Sequence, residues 1–248
     1  MMPKFLVVFI LIFPMYIFAD DNPREDDEGG KLSDMENAEG NSDNFLIYLL
    51  IDIMINSPEV FFGSSTTYSY SDYPYKNNAG LFEENNTKTW HLDADFAYLK
   101  ESASLNAINF DVNINPSRYW SMKVKYFRFT ERFNFEESQL DLSEFFIQYN
   151  RVRRERFNLQ WGIGLINMVG EKDRSGLALD LGCELFIYNP ISIESNYVFG
   201  YLEDAMFSEF DAKINLYRKR FNLFAGYKYI SVANVSLNNL MLGIGVNF

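Results

Sequence analysis

The sequence predicts an all-β chain: an antiparallel up-and-down transmembrane β-barrel of about ten strands with a short N-terminal helix. Three observations carry this. From Trp90 onward, apolar and polar residues alternate through ten segments of roughly 9 to 12 residues, the length a tilted strand needs to cross a bilayer. The chain is 48% hydrophobic and 17% aromatic, yet it holds no long apolar run beyond its N-terminus, which argues against a helical membrane protein. The last segment, Leu237–Phe248, sets Leu240, Leu242, Ile244, Val246 and Phe248 on one pleated face and Met241, Gly243, Gly245 and Asn247 on the other.

Met1–Ala19 has a basic start at Lys4, an apolar core from Phe5 to Phe18 and small Ala19 before acidic Asp20, so residues 1–19 read as a secretory signal peptide. No cysteine lies near the expected cut, which excludes a lipoprotein anchor. Cys183 is the only cysteine, and the fold stands without intramolecular disulfides.

Asp20–Asp43 holds ten acidic and two basic residues and little to bury, so residues 20–43 are expected to form a disordered acidic tether carrying most of the net charge of -12. Residues 44–88 are expected to hold a short amphipathic helix and a Tyr/Ser-rich loop. In Phe45–Ile55, polar Asn44, Tyr48, Asp52 and Asn56 recur every four positions as on a helix, while the alternation of Phe45, Ile47, Leu49, Ile51, Ile53 and Ile55 also suits a strand. The helix, lying at the membrane interface or under a barrel mouth, is the favoured reading. Phe61–Asn86 suggests an ordered loop with aromatic anchors.

Residues 89–248 make the barrel. The expected strands are His91–Leu99, Leu105–Ile114, Trp120–Thr130, Leu140–Asn150, Phe157–Asn167, Leu177–Tyr188, Ile191–Tyr201, Phe207–Tyr217, Phe221–Ile230 and Leu237–Phe248. In the third, Phe127 and Phe129 fall on the polar face and Arg128 on the apolar one, so a bulge is expected near Tyr126–Phe127. Asn115–Ser117, Arg151–Arg156, Asn189–Pro190 and Arg218–Arg220 read as tight, largely basic turns at the end holding the termini. Phe133–Gln139, Gly170–Gly176, Leu202–Met206 and Ser231–Ser236 read as longer, more acidic connections at the other.

The closing strand, apolar on alternate positions and ending on Phe248, resembles that of bacterial outer-membrane β-barrel proteins. The resemblance implies location in the bacterial outer membrane after signal-dependent export, with outer-membrane lipids and, through the strand ending in Phe248, the barrel-assembly machinery as partners. It also implies that the termini are periplasmic, beside the basic turns, where Asp20–Asp43 would meet Arg151, Arg153, Arg154, Arg156, Arg218, Lys219 and Arg220.

Alternation alone does not say which face is inside, because a soluble barrel would turn its Leu and Ile inward. Strand length, aromatic richness and Phe248 favour the membrane arrangement. A narrow polar lumen then holds Asp93, Asp95, Asn109, Asp111, Asn113, Lys123, Lys125, Gln148, Gln160, Asp180, Glu184, Glu194, Asn196, Asp211, Lys213, Asn215 and Lys228, as a structural network.

No catalytic, cofactor-binding or metal residue is assigned. His91 is the only histidine, it reads as interfacial, and one His with one Cys gives no metal-ligand spacing. No motif of barrel proteases or lipid-modifying barrels occurs. Gly162–Gly164 and Gly243–Gly245 do not lead from strand into helix as phosphate loops do. The expected function is a non-enzymatic barrel of structural or surface-interaction type, with no nucleic-acid partner and no cofactor. The alternatives are an envelope hydrolase or acyltransferase, and a soluble secreted barrel binding an apolar ligand. Oligomeric state is not encoded legibly.

Overall fold

The computed structural model describes residues 30–38, 68–84, 86–133, 136–203 and 205–248. The expected signal peptide, the helix over 45–55 and the rest of the tether lie outside the described residues.

Period-two alternation produces ten long strands: β3 (His91–Lys100), β4 (Leu105–Asn115), β5 (Trp120–Phe133), β6 (Glu136–Arg154), β7 (Phe157–Val169), β8 (Arg174–Tyr188), β9 (Ile191–Leu202), β10 (Ala205–Arg218), β11 (Phe221–Val232) and β12 (Val235–Asn247). Each pairs antiparallel with its chain neighbours, and β12 pairs with β3 to close the barrel. Phe248 extends the seam: its N–H donates to the Leu92 carbonyl at 2.8 Å, and Leu92 N–H returns to the Phe248 carbonyl at 3.2 Å. The barrel therefore has no free edge to template aggregation. The ten expected strands are all present, most of them longer than expected. We call the end holding Phe248 the near mouth and the other the far mouth.

Leu177, Leu240, Leu242 and Ile163 are 72%, 71%, 69% and 59% exposed, while Asp180, Glu209 and Gln148 are fully buried. Leu and Ile thus face outward and carboxylates inward, the reverse of a soluble barrel. On β3 the outward apolar run is Leu92, Ala94, Phe96 and Tyr98, and on β8 it extends from Leu177 to Leu185. Allowing for strand tilt, these runs make an apolar belt roughly 20–25 Å tall. Among the described residues no helix is long and apolar enough to cross a membrane, so the crossing falls to the strands. This is the architecture of a small transmembrane β-barrel.

Toward the far mouth the two faces exchange character. Lys100, Asn106, Arg128, Asp141, Asn167 and Asn238 point outward at the level where Leu99, Leu105, Phe127, Phe129, Leu140, Leu142, Ile166, Met168 and Leu237 are buried inside. This corrects two expectations. No bulge occurs at Tyr126–Phe127, since β5 runs in unbroken register against both neighbours. Phe127, Arg128 and Phe129 instead mark the level at which the strand leaves the apolar belt, above which water is outside and an apolar core inside. The lumen is accordingly polar over only part of its height. The register shifts fall at Asn150/Val152 in β6 and at Phe186/Tyr188 in β8. The far connections are also not longer than the near ones, because 203–204 and 233–234 span two residues each, as do 155–156 and 219–220.

Two pieces of N-terminal chain occupy the mouths. Within the expected tether, α1 (Lys31–Asn37) is helical and buries Leu32 and Met35. Their i, i+3 spacing puts both on one helix face, and that face packs on the far-mouth apolar cluster. Residues 30–38 are thus not a disordered tether, and they lie at the opposite end from the basic turns they were expected to meet. At the near mouth, β1 (Ser69–Tyr70) and β2 (Phe82–Glu83) pair as a short hairpin, with Tyr70 and Phe82 buried.

Candidate functional site

Among the described residues, polar chemistry is concentrated in the lumen, which divides into three levels. The lowest is a narrow chamber of about 90 Å³, lined by Tyr70, Leu81 and Phe82 of the hairpin and by Asp93, Asp95, Asp111, Glu184, Glu194, Lys123 and Lys213. A volume of this size holds a few waters at most. Tyr70 fixes the roof: its hydroxyl donates to Asn115 Oδ1 at 3.0 Å and accepts from Asn150 Nδ2 at 2.9 Å. Its ring stacks on His91, 5.2 Å between centroids, and His91 Nε2 lies 2.6 Å from Asp93 Oδ1. Gly80 lets the hairpin seat, since its N–H donates to the Glu155 carbonyl at 2.6 Å, and a side chain there would strike that carbonyl and the Phe186 ring. Tyr75 donates to the Ile191 carbonyl, and burial pushes its hydroxyl up to about 12.

Above the chamber is a ladder of buried ion pairs. Lys213 Nζ lies 2.7 Å from Asp95 Oδ2 and 3.1 Å from Glu194 Oε2. Lys125 Nζ lies 2.6 Å from Glu209 Oε1 and 3.2 Å from Glu144 Oε2, and Lys228 Nζ lies 2.9 Å from Glu209 Oε1 and 3.3 Å from Asp211 Oδ2. Glu209 therefore bridges two lysines. Neutral donors complete the set: Ser192 and Tyr217 both donate to Glu184 Oε1, at 2.6 and 2.9 Å, and Gln148 donates to Asp180. Lys228 and Lys213 also stand over the rings of Phe127 and Phe224, at 4.7 and 4.8 Å. The pairs of Lys125 and Lys228 are almost fully desolvated, and such pairs lose heavily if one partner is removed.

The third level is the apolar cluster under α1. Glu131 caps the helix, accepting from Lys31 N–H at 3.1 Å and Leu32 N–H at 2.8 Å, a carboxylate placed where the helix dipole favours it. Lys31 pairs with Glu101 at 2.7 Å, and Arg174 donates to the Ala38 carbonyl at 2.6 Å. Glu36 is buried and accepts from Glu171 N–H at 3.2 Å. Burial first, then the nearby Glu171 and Asp173 charges, raise its carboxyl above the ordinary value.

The expected lumen residues all face inward, so period two assigned them correctly. The same reasoning missed Glu144 and Glu209, the centre of the ladder. Each borders a buried phenylalanine on the inward face, Phe146 and Phe207. Their parity with Gln148 and Asp211 is the signal that identifies them. His91 is not interfacial but buried beneath the hairpin. Among the described residues no group of His, Cys, Asp or Glu has a metal-binding arrangement.

No family model matches the chain, and no curated protein matches its sequence. Among solved structures, the N-terminal β-barrel domain of Pseudomonas aeruginosa OprF aligns at 10% identity over 64% of this chain and 97% of that one, with a TM-score of 0.35. The outer membrane protein OprG of the same organism aligns at 12% identity over 64% and 96%, TM-score 0.36. Neisserial surface protein A aligns at 16% identity over 64% and 96%, TM-score 0.29. At these TM-scores the likenesses add nothing to what the walls of this barrel show.

Proposed function

We propose that the chain is an integral outer-membrane barrel of structural, non-enzymatic type with no through-channel. The observation that carries the reading is the stoppered lumen: an ion-pair ladder fills its middle, α1 closes the far mouth and the β1–β2 hairpin closes the near one. Ten strands leave little interior width to begin with. The short connections at both mouths favour a structural role over an adhesive one, since they offer no extended loops. His91, the only histidine, is committed to Asp93 and Tyr70 beneath the hairpin, which argues against a hydrolase. Export through residues 1–19 and assembly through the strand ending in Phe248 belong to the same reading, with the near mouth periplasmic.

Three measurements test it. Purified protein in planar bilayers is expected to show no stable ohmic conductance, while migrating faster unboiled than boiled on gels. Sustained single-channel steps in the wild type would overturn the closed-barrel reading, and loss of heat-modifiability would overturn the membrane one. Deleting Phe248 is expected to lower the folded barrel recovered in outer membranes without lowering export.

A further inference from the structure

The outer wall of the barrel has a concave stretch. A groove of about 900 Å³ lies across β10, β11, β12, β3 and β4 near the near mouth, lined by Phe96, Phe110, Leu216, Phe221, Leu223 and Ile244, with Arg218 at its edge. Its floor is low because outward-facing Ala94, paired with Val246 on one side and Val112 on the other, puts a methyl group where its neighbours carry larger side chains. The groove descends from the tight turn between β10 and β11. That turn presents three consecutive cations, Arg218, Lys219 and Arg220, all exposed, and no ion pair among the described residues engages them. Lys219 takes a left-handed backbone (φ 57°), and Arg220 rests over the Phe248 ring at 5.9 Å.

An apolar trough that begins at a cluster of guanidinium groups and runs into the lipid belt has the polarity of a phospholipid lying along the wall. We propose that this groove is a specific site for one glycerophospholipid, its acyl chain in the trough over Ala94 and its phosphate held by Arg218 with Lys219 and Arg220. A planar guanidinium meets a phosphate with two parallel hydrogen bonds, and an aliphatic chain suits a trough whose lining is mostly apolar. A volume near 900 Å³ is within the range of small-molecule sites, about 300–1,000 Å³. The proposal rests on the membrane reading above, because the groove must face lipid.

The experiment is native mass spectrometry of the detergent-purified full chain after delipidation, titrated separately with phosphatidylglycerol, phosphatidylethanolamine and diacylglycerol. One phospholipid of either headgroup is expected to bind per barrel, with diacylglycerol at least tenfold weaker. Arg218→Ala combined with Arg220→Ala, and separately Ala94→Trp to fill the floor, are each expected to weaken phospholipid binding tenfold or more. Arg154→Ala, at the basic turn between β6 and β7, which β8 and β9 separate from this groove, is expected to change nothing. Several equivalent lipids unaffected by either change would mean that the groove is ordinary solvated wall, and the proposal would fall. Binding equal for diacylglycerol and phospholipid would remove the role of the turn and overturn it as well. Each variant is first checked for heat-modifiable migration. A barrel that migrates as folded yet binds no lipid sinks this site alone, whereas one that never inserts into vesicles sinks the membrane reading with it.

Discussion

At the scale of single residues the lumen is governed by Glu209, whose Oε1 serves Lys125 at 2.6 Å and Lys228 at 2.9 Å in a fully desolvated setting. Glu209→Gln keeps the shape and removes the charge, so two buried ammonium groups lose their shared partner at once. Removal of one member of a buried pair costs about 3–5 kcal/mol, and we expect that range here in urea unfolding from lipid vesicles. Arg128→Gln is the comparison. Arg128 and Asp141 also form a bidentate pair, both bonds 2.8 Å, but on the outer wall and half-exposed, where such a pair contributes about 0–1 kcal/mol. Similar costs for the two variants would mean that the lumen is hydrated enough to screen its charges. Glu209 also shows the limit of reading faces from sequence: the lumen residues read on its strand, Asp211, Lys213 and Asn215, stop one inward position short of it, beside Phe207.

Among the elements, α1 is the one the sequence concealed. A seven-residue helix does not persist alone in water, so its order comes from Glu131 at its first turn and from Leu32 and Met35 against the barrel. Two apolar residues among ten acidic ones in Asp20–Asp43 do not register in composition, because the surface they bury against is assembled from distant strands. The ten strands, by contrast, were legible since alternation is local and every strand carries its own copy of the signal. Leu32→Ala and Met35→Ala are each expected to remove hydrogen-exchange protection from residues 31–37 while leaving barrel protection intact. Docking also responds to pH. Glu36 is faced by Glu171 and Asp173, with Arg174 engaged at the Ala38 carbonyl, and its docked carboxyl lies above the ordinary 4.5. The docked state therefore holds its proton more tightly than the undocked one, so docking is strongest below the ordinary value and weakens as pH rises through the docked value. Protection factors for α1 are expected to fall between acidic and neutral pH in the wild type, and to stay high and flat in Glu36→Gln. A flat wild-type profile would show that Glu36 is not desolvated by docking.

For the whole molecule the governing feature is the exchange of faces along each strand, which records where the surrounding solvent changes from lipid to water. The pattern is present in the sequence at Phe127, Arg128 and Phe129, but under uniform alternation the exchange reads as a register fault. Its physical content is that the cost of a charge depends on height as well as on face. On β7, Ile163 points outward within the apolar belt and is 59% exposed, Asn167 points outward one turn of the pleat beyond Leu165, and Ile166 points into the far-mouth cluster. Arginine at a barrel's lipid-facing midplane costs about 2–4 kcal/mol and close to the interface about 0–1 kcal/mol. In unilamellar vesicles Ile163→Arg and Leu242→Arg are therefore expected to lower unfolding free energy by about 2–4 kcal/mol and Asn167→Arg by less than about 1 kcal/mol. Ile166→Arg is expected to be the most damaging on this strand, since it strands an unpaired charge in an apolar core. In detergent micelles, which adapt to the protein, the difference between positions 163 and 167 is expected to shrink while the cost at 166 persists. Equal costs at 163 and 167 in bilayers would place both positions in one solvent, and the upper barrel would then have to be lipid-embedded with Lys100, Arg128 and Asp141 inside the membrane.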